Sequence, residues 1–395
     1  MRFTLHTSLD EIPAGVWNTL AGDANPFLRH EFLAALERHH CVGSKAGWIP
    51  QHLAVYQDDR LLGAAPMYLK NNSYGEFVFD WAWADAYQRA GLRYYPKLVV
   101  AIPYTPATGP RLLLADMDES ANAPSVARGP RLDPIAERDS VADTLIAGAL
   151  EHARRLGVSS LHWLFTTEQD TQRLERHGLL RRVGCQFHWH NNAYQNFDDF
   201  LAGFAAEKRK KVKRERRRVA EAGIEIEVLH GDQISEQQWQ IFHHFYSSTF
   251  WKKGGVASLS LEFFQELGRT MPQNVVLVLA KHNDRYIAGA FNLRGKDTLY
   301  GRHWGCVEEF HSLHFEVCYY RAIDYCIAQG LRRFEAGAQG EHKISRGFLP
   351  TPTFSAHWLS HPAFSQAIEN FLVQEQQHME YYIDELGEHS PFKHC

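Results

Sequence analysis

The sequence predicts an α/β fold (α+β by its mixed sheets) built from two similar units in tandem, with mainly antiparallel strands. Its length of 395 residues exceeds that of one typical domain. Residues 52–83 share the order of their features with residues 276–305. A helical pattern and then a short strand pattern follow each stretch, so the similarity extends beyond the strands themselves.

The repeated stretch is predicted to be a three-stranded antiparallel meander. The Asp-Arg pair at 59–60 recurs at 284–285 after 225 positions, and Gly63 recurs as Gly289 after 226. Each copy begins with an apolar strand, turns at the Asp-Arg corner, continues through a Gly-Ala strand and ends in an aromatic third strand. We interpret the repeat as an internal duplication.

The elements around the meanders follow one order in both halves. Helices are predicted from apolar spacing at 30–39, 141–157, 236–250, 260–270 (with Ser260 as N-cap) and 312–330. Strands are predicted at 159–166, 187–192 and 331–337, and a polar loop at 116–133. The domains are therefore predicted as 1–195, a basic linking helix at 196–225, and 226–395, with the tail packing back on the first domain.

Composition excludes several classes of protein. An apolar content of 45% supports folded cores, and a formal charge of −4 argues against a generally basic nucleic-acid coat protein. No apolar run is long enough to span a bilayer, and the first residues lack the pattern of a signal peptide. The six cysteines form no CxxC pair, which is typical of reduced thiols in a cytoplasmic protein. The sequence does not predict an oligomeric state.

One segment concentrates positive charge. Between Glu207 and Arg218 it holds nine Lys or Arg and two Glu, while Phe204, Val212 and Val219 form a narrow apolar stripe. Three interpretations stay open: a solvated helix docked by its stripe, a phosphate site, or a contact with the tRNA backbone through charge alone. The candidate phosphate ligands are Lys208, Arg209, Lys211 and Arg214.

Several longer stretches carry a resemblance to a known family. They are GLRYYPKL (91–98), PYTPATGPRL (103–112), KRKKVKRERRRV (208–219), LYGRHWG (299–305), FHSLHFEVCYYRAIDY (310–325) and RRFEAGAQGEHKISRGFLPTPTFSAHW (332–358). With them the chain resembles the bacterial FemAB-like predicted N-acyltransferases, which are peptidoglycan-biosynthesis-like relatives of the Fem peptidyltransferases. The resemblance implies two tandem GNAT-like acyl-CoA N-acyltransferase domains.

The resemblance also implies a reaction, in which an acyl or aminoacyl group passes from a thioester or aminoacyl-tRNA to an amine on a small molecule or peptide. The glycine-rich pyrophosphate loop of GNAT enzymes is absent, because the corresponding place reads EEFHSLHFE. Fem enzymes also lack this loop and use aminoacyl-tRNA, so the donor stays open between acyl-CoA and aminoacyl-tRNA. No tightly bound cofactor is expected. The alternative is a non-catalytic protein that binds RNA or a phosphate-bearing cell-wall precursor.

Candidate catalytic residues cluster at the start of the helix predicted at 312–330. His311, His314 or Glu316 could take a proton from the amine, and Tyr319 could protonate the leaving group. Glu341 is a further candidate in the segment EAGAQGEHKISRGF. Packed histidines at a helix start are the alternative interpretation. No metal site is predicted, because a third ligand cannot be placed.

Candidate substrate-binding residues lie in both halves. In the second half they are Gln339, Lys343 and Arg346 in the glycine-rich segment, with Arg302 and Trp304 on the aromatic strand. In the first half, aromatic side chains mixed with charges predict a groove for a sugar or peptide, or else an aromatic core. These first-half residues are Asp80, Trp83, Tyr94, Lys97 and Tyr104. The acceptor amine is expected between the domains.

Overall fold

The computed structural model describes residues 1–116, 134–252, 254–338 and 340–393. All but the first residue of the loop predicted at 116–133 lie outside this part of the chain. The chain divides into two compact units. The first contains Met1–Gly22, Phe27–Gly184 and Thr353–Gln377, and the second contains Asp23–Pro26, Cys185–Pro352 and His378–Cys395. The predicted boundary at residue 195 thus falls inside the second unit.

The helices and strands are numbered in chain order. In the first unit they are β1 Arg2–His6, α1 Ala14–Ala21, α2 His30–Arg38, β2 Trp48–Pro50, β3 His52–Gln57, β4 Arg60–Ala65, β5 Met67–Lys70, α3 Trp81–Arg89, β6 Lys97–Val100, β7 Leu113–Leu114, α4 Pro134–Leu156, β8 Ser160–Thr166 and α5 Glu168–Arg176. Three elements contain a boundary between units: β9 Leu180–His190, β15 Leu349–Leu359 and α12 Pro362–Glu388. The second unit holds α6 Phe197–Ala202, α7 Ala206–Glu221, β10 Glu225–His230, α8 Glu236–Trp251, α9 Leu261–Thr270, β11 Val275–His282, β12 Arg285–Arg294, β13 Thr298–Cys306, α10 Leu313–Phe315, α11 Arg321–Ala328 and β14 Arg333–Glu335.

The first unit contains one antiparallel sheet of order β1-β3-β4-β7 and a second run of strands, β15-β8-β6-β5-β2. In the second run only β6 and β8 pair in parallel. Helix α4 packs closely on the antiparallel sheet, because a Cβ at Gly63 would lie 2.6 Å from Val141 Cγ1. The repeated glycine is therefore a packing requirement in this half.

The third strand predicted for the first meander is wrong. Strand β5 leaves the sheet of β3 and β4 to pair with β2 and β6, and the aromatic stretch that follows forms α3. Trp83 and Tyr87 are buried and lie four residues apart, so they share one face of a helix. The buried residues of this stretch therefore recur with the period of a helix, although its aromatic residues at 79, 81 and 83 alternate as in a strand.

The second meander is confirmed. Strands β10, β11, β12 and β13 pair antiparallel in sequence order, β13 pairs with β14 in parallel, and β14 pairs antiparallel with β9. The helix predicted at 312–330 is present but interrupted: a π-helical turn, Glu316–Tyr320, separates α10 from α11. Ser260 caps α9 as predicted, since its side chain accepts a hydrogen bond from the Phe263 amide.

Strand β14 ends early and opens a gap beside β13. Its pairing with β13 stops at Tyr300 and Glu335, while β13 continues to Cys306 along β12. The chain then turns away through Gly337, whose φ of +84° favours glycine. Backbone groups of the second half of β13 therefore face a space that no neighbouring strand of the described chain fills.

The basic segment is a helix, α7, that belongs to the second unit. Its predicted stripe is buried, with Val212 and Val219 on one face and Phe204 just before the helix. Glu215 is buried on the same face. Among the helices that the structure describes, none is long and apolar enough to cross a membrane.

Candidate active site

A cavity of about 430 Å³ occupies the gap at the end of β14. Its walls come from β12, β13, the helix start and the loop after β14. The lining residues are Ala290, Phe291, Asn292, Gly301, Arg302, His303, Trp304, His314, Cys318, Tyr319, Ala336, Gly337, Ala338, His342 and Lys343. Five of the predicted site residues, Arg302, Trp304, His314, Tyr319 and Lys343, are therefore brought together.

Two cavity residues that can donate or accept a proton, Tyr319 and His342, contact each other. The Tyr319 hydroxyl lies 3.0 Å from His342 Nε2, which is hydrogen-bonding distance. Burial raises the pKa of Tyr319 well above its usual value. Burial, together with the nearby charges of Arg346 and Lys343, lowers the pKa of His342. At neutral pH the tyrosine keeps its proton and the imidazole is free to accept one.

A glycine makes room for the His342 ring. A Cβ at Gly340 would lie 2.4 Å from His342 Cε1 and 2.9 Å from Nδ1, closer than real Cβ contacts come. Gly340 also has a φ of +115°, which disfavours other residues. The glycine in the predicted segment EAGAQGEHKISRGF therefore fixes where the imidazole lies.

His314 lies beside both members of this pair, Tyr319 and His342, since its ring centroid is 6.2 Å from that of His342. Its ring packs edge-on against Trp304 and Tyr319, with centroid distances of 5.2 and 5.3 Å. Burial lowers its pKa to about 4, so the ring is neutral at physiological pH. His314 therefore contributes a neutral imidazole to the cavity wall. Among the described residues, no cluster of three His, Cys, Asp or Glu could hold a metal ion.

Two cations line the cavity, Lys343 buried and Arg302 half-buried. Lys343 Nζ donates to the carbonyl oxygen of Gly337 at 2.9 Å, and no carboxylate of the described chain lies within ion-pair distance of it. Burial lowers its pKa to about 8. Burial also lowers the pKa of Arg302, to about 10, which leaves that guanidinium charged at neutral pH. The cavity thus offers positive charge to a carbonyl or carboxylate.

Glu316 does not line the cavity. Its carboxylate accepts two hydrogen bonds from Arg216, at 3.1 and 3.2 Å, and lies 3.0 Å from Arg321 Nε. Burial raises its pKa, and both arginines oppose the rise. The expectation that Glu316 is free to take a proton therefore does not fit its surroundings, because its oxygens are occupied by guanidinium groups.

Arg346 also has a buried partner. Its guanidinium donates to both oxygens of Glu215, at 2.9 and 3.1 Å, and to the carbonyl oxygen of His342 at 2.7 Å. The Tyr320 hydroxyl donates to the same Glu215 carboxylate. Arg346 therefore connects Glu215 on α7 with the backbone of His342. The Glu215 carboxylate compensates the charge of the Arg346 guanidinium.

A second cavity of about 480 Å³ lies against α7 and shares His342 with the first. Its walls carry Lys211, Arg214 and Arg218, together with His311. We call this cavity the cationic groove. Within the described part of the chain, no carboxylate pairs with these three cations, so they can meet an anion. Of the predicted phosphate ligands, Lys208 and Arg209 do not line it.

The predicted catalytic residue Glu341 lines neither cavity. Glu341 is exposed and accepts a hydrogen bond of 2.6 Å from the Tyr382 hydroxyl. Gln339 lies outside the described residues. Neither cavity therefore draws on Glu341, and its predicted catalytic role has no geometric support.

The predicted first-half residues are interior rather than groove residues. Asp80, Trp83, Tyr94 and Lys97 are all buried. Lys97 Nζ donates to the Asp80 carboxylate, which also accepts from the Tyr94 hydroxyl at 2.5 Å. Tyr104 donates through its hydroxyl to the carbonyl of Cys41 at 2.8 Å. Because these polar groups satisfy one another, they form a buried network and not an open sugar site.

Sequence reasoning did not assign a role to His342, His303 or Cys318, all of which line the first cavity. His342 lies in the glycine-rich segment 335–348, but its partner Tyr319 is 23 residues earlier and on another element. The glycine before Glu341 was the one local signal, because it leaves space for a neighbouring ring.

The chain matches the FemAB-like family, described as peptidoglycan biosynthesis/recognition, over residues 8–394. Among solved structures it is similar to FemX, at 12% identity and a TM-score of 0.54, covering 93% of this chain and 100% of that one. It is also similar to the C-terminal domain of a putative lysylphosphatidylglycerol synthetase from Agrobacterium fabrum, at 9% identity and a TM-score of 0.53, covering 93% and 97%. A tandem GNAT protein from the clavulanic acid biosynthesis pathway aligns at 11% identity, with a TM-score of 0.42, over 91% of this chain and 99% of that chain.

At these identities the structures bear on fold, and the first two have this chain's fold over nearly its full length. No match was found among curated proteins. The predicted α/β fold with mixed sheets is confirmed, and it is the fold of FemX. The match over nearly all residues identifies the chain as a member of the FemAB-like family.

Proposed function

We propose that the cavity beside β13 transfers an acyl or aminoacyl group directly from its donor to an amine, without a covalent enzyme intermediate. The observation that carries this proposal is the contact between the Tyr319 hydroxyl and His342 Nε2, in a cavity with a buried lysine. A paired acid and base is what aminolysis of an ester or thioester needs, because one proton leaves the amine and another joins the leaving group.

The protons balance through this pair. As the C–N bond forms, His342 takes a proton from the amine nitrogen at Nδ1. As the C–O or C–S bond of the donor breaks, Tyr319 gives its proton to the departing oxygen or sulfur. The imidazolium then returns a proton from Nε2 to the tyrosinate, which restores the tyrosine. The imidazole, left with its proton on Nδ1, regains its starting tautomer by proton exchange with water. His314, held neutral at physiological pH, bounds the space in which the amine approaches.

Positive charge in the cavity stabilises the developing oxyanion. Lys343 Nζ is held by the Gly337 carbonyl oxygen at the end of β14, beside the unpaired half of β13. The carbonyl oxygen of the donor would lie between this ammonium group and backbone N–H groups of β13. Such preorganised donors often contribute the largest single part of an enzyme's rate enhancement.

The cationic groove favours a donor that carries phosphates. Three cations along one helix suit a phosphodiester backbone better than one compact pyrophosphate, and the helix start at EEFHSLHFE has no glycine-rich loop. We therefore favour aminoacyl-tRNA as donor over acyl-CoA, and a peptide amine as acceptor. The cytoplasm, where both donors are made, is the compartment that we propose.

The test is a transfer assay with a radiolabelled aminoacyl group. The purified full chain is mixed with aminoacyl-tRNA, an aminoacylated acceptor-stem RNA or acyl-CoA, each with a diamino peptide as acceptor. We expect label in the peptide with the two RNA donors and none with Tyr319→Phe. Transfer from acyl-CoA alone would reassign the donor, and transfer by Tyr319→Phe at the wild-type rate would overturn the proposed chemistry.

A further inference from the structure

At the start of α3 and in the segment before it, aromatic side chains are exposed while polar side chains are buried. Tyr74, Phe77, Phe79 and Trp81 are exposed, at 70%, 37%, 55% and 39% of their surface. Three polar residues that precede or separate these rings are buried: Ser73, Glu76 and Asp80. Isolated exposed apolar side chains are normal, but four aromatic rings within eight residues form a patch. We call residues 74–81 the aromatic loop.

Buried lysines hold the aromatic loop in this conformation. Lys97 Nζ donates to Ser73 Oγ and to Glu76 Oε2, both at 2.8 Å, and to the Asp80 carboxylate. Lys70 Nζ donates to the carbonyl oxygen of Tyr74 at 3.0 Å. Since these anchors alternate with the rings, the rings cannot turn inward without breaking a buried charge network. The exposure of the aromatic side chains is therefore built into the fold of the first unit.

The chemistry of the aromatic loop favours a lipid surface over a sugar. A sugar site needs hydrogen-bonding side chains beside the rings, whereas Ser73, Glu76 and Asp80 all point to the buried lysines. Tyrosine and tryptophan are the side chains that accumulate at membrane interfaces, where an apolar ring and a polar tip are both accommodated. The rings of Tyr74 and Trp81 pack together at 5.2 Å, so they would enter as one unit.

Nearby charge suits anionic headgroups. Arg89 lies on the exposed face of α3 that begins with Trp81, about 12 Å further along the axis. Arg93 is exposed two residues before Tyr95, whose hydroxyl lies 2.8 Å from Ser73 Oγ. Among the ion pairs of the described chain, neither arginine has a carboxylate partner. Asp85 shares the face, and the two arginines outweigh it.

We propose that the aromatic loop is a membrane contact, which places its rings in the headgroup region of an anionic bilayer with Arg89 and Arg93 facing the lipid phosphates. Such a contact would hold the protein at a membrane surface without a spanning helix. The lipid surface is argued from the first unit alone and does not depend on the chemistry proposed for the second.

The experiment is co-sedimentation of the full chain with phosphatidylcholine vesicles, with and without an equal amount of phosphatidylglycerol. We expect binding to the anionic vesicles that weakens with salt, and a fall of about tenfold for Phe79→Ser/Trp81→Ser, because binding scales with buried apolar area. The matched control is Phe371→Ser/Val373→Ser, which removes two apolar side chains of similar exposure, 47% and 57%, from α12. It should bind as wild type does.

A second readout reports on the ring itself. Vesicles with brominated acyl chains should quench part of the tryptophan fluorescence of the wild type, and Trp81→Phe should remove that part. Equal binding by Phe79→Ser/Trp81→Ser and wild type would overturn the proposal, as would failure to bind either kind of vesicle. A fluorescence change with soluble N-acetylglucosamine oligomers, and none with vesicles, would assign the aromatic loop to carbohydrate instead.

Discussion

Tyr319 and His342 come within hydrogen-bonding distance across the cavity, although one lies on a π-helical turn and the other on the 3₁₀ segment 341–346. Both groups are neutral at physiological pH, because the pKa of Tyr319 is raised and that of His342 is lowered. The tyrosine therefore has a proton to donate to the leaving group, and the imidazole has a lone pair to accept one from the amine. The first prediction concerns this contact. Tyr319→Phe should lower kcat by about 10²–10³-fold and leave donor affinity nearly unchanged, because only proton transfer is lost.

The control for that variant is Tyr325→Phe. Tyr325 lies on the same helical stretch, but its hydroxyl accepts a hydrogen bond from Arg294 at 3.1 Å and does not reach the cavity. It should retain wild-type kcat. Single-turnover measurements with labelled donor separate the chemical step from binding. Equal losses in the two variants would assign the effect to packing.

Gly340→Ala should mimic the loss of His342. The added Cβ would displace the ring from its place 3.0 Å from Tyr319, so kcat should fall, and the strain of an alanine at a φ of +115° should also lower the melting temperature. Gly330→Ala is the matched control, since Gly330 also has a positive φ, of +64°, but has nothing within 4 Å of an added Cβ. If both variants behave alike, backbone strain and not the ring explains the result.

The pKa of Lys343 predicts a pH dependence. Burial lowers that pKa to about 8, so the ammonium is present below this pH and is lost as pH rises through it. The kcat/KM of the wild type should therefore fall above about pH 8 relative to that of Lys343→Arg, whose guanidinium stays charged. The comparison is the ratio of the two values from pH 6.5 to 9.5, in steps of about half a unit. A ratio that stays constant across this range would exclude Lys343 from the oxyanion site.

A substitution of Glu316 distinguishes a stabilising role of its carboxylate from a role as the catalytic base. Glu316→Gln should destabilise the chain by about 1 kcal/mol, because the partly exposed Arg216 and Arg321 lose the charge of the buried carboxylate between them. Arg216 keeps its ion pair with Asp324, at 2.7 Å. The turnover of the folded fraction should stay within about threefold of wild type, since the group does not line the cavity. Urea denaturation and kcat measured on the same preparation separate the two effects. A large loss of kcat with unchanged stability would restore Glu316 as the base.

The cationic groove predicts a salt effect confined to one face of α7. Lys211→Ala/Arg214→Ala should weaken donor binding and lower the slope of log affinity against log salt by about 1.4, if each cation meets one phosphate of single-stranded RNA. Lys213→Ala/Arg217→Ala removes the same charges from residues paired with Asp198 and Glu221. It should leave the slope nearly as it was. Identical slopes in both variants would indicate that the helix acts only through net charge.

The sequence predicts much of the fold because period and turn residues act locally. The second meander follows from apolar runs separated by an Asp-Arg corner, and α7 follows from a stripe of valines on a charged helix. The aromatic stretch before α3 misleads, since residues 79, 81 and 83 alternate as in a strand while Trp83 and Tyr87 are buried at helical spacing. Here tertiary burial decides between two periods that the sequence carries at once.

The site is harder to predict, because its decisive contacts join distant residues. Residue types alone indicated Tyr319, His314 and Lys343, and the structure brings all three to one cavity. The same reasoning indicated Glu316, whose ionic partner Arg216 is 100 residues earlier in the chain. The sequence around a glutamate at a helix start does not show whether its carboxylate is paired with distant arginines or is accessible to a substrate.

The π-helical turn at Glu316–Tyr320 has a consequence for how this helix can change. An α-helix advances about 100° per residue, and a π turn accommodates one extra residue without breaking the helix. Tyr319 and Tyr320, adjacent in the chain, thereby reach different partners, His342 and Glu215. A single helix thereby serves both the contact with His342 and the packing of α7. Deleting one residue there would restore a regular helix at the expense of one of these two contacts.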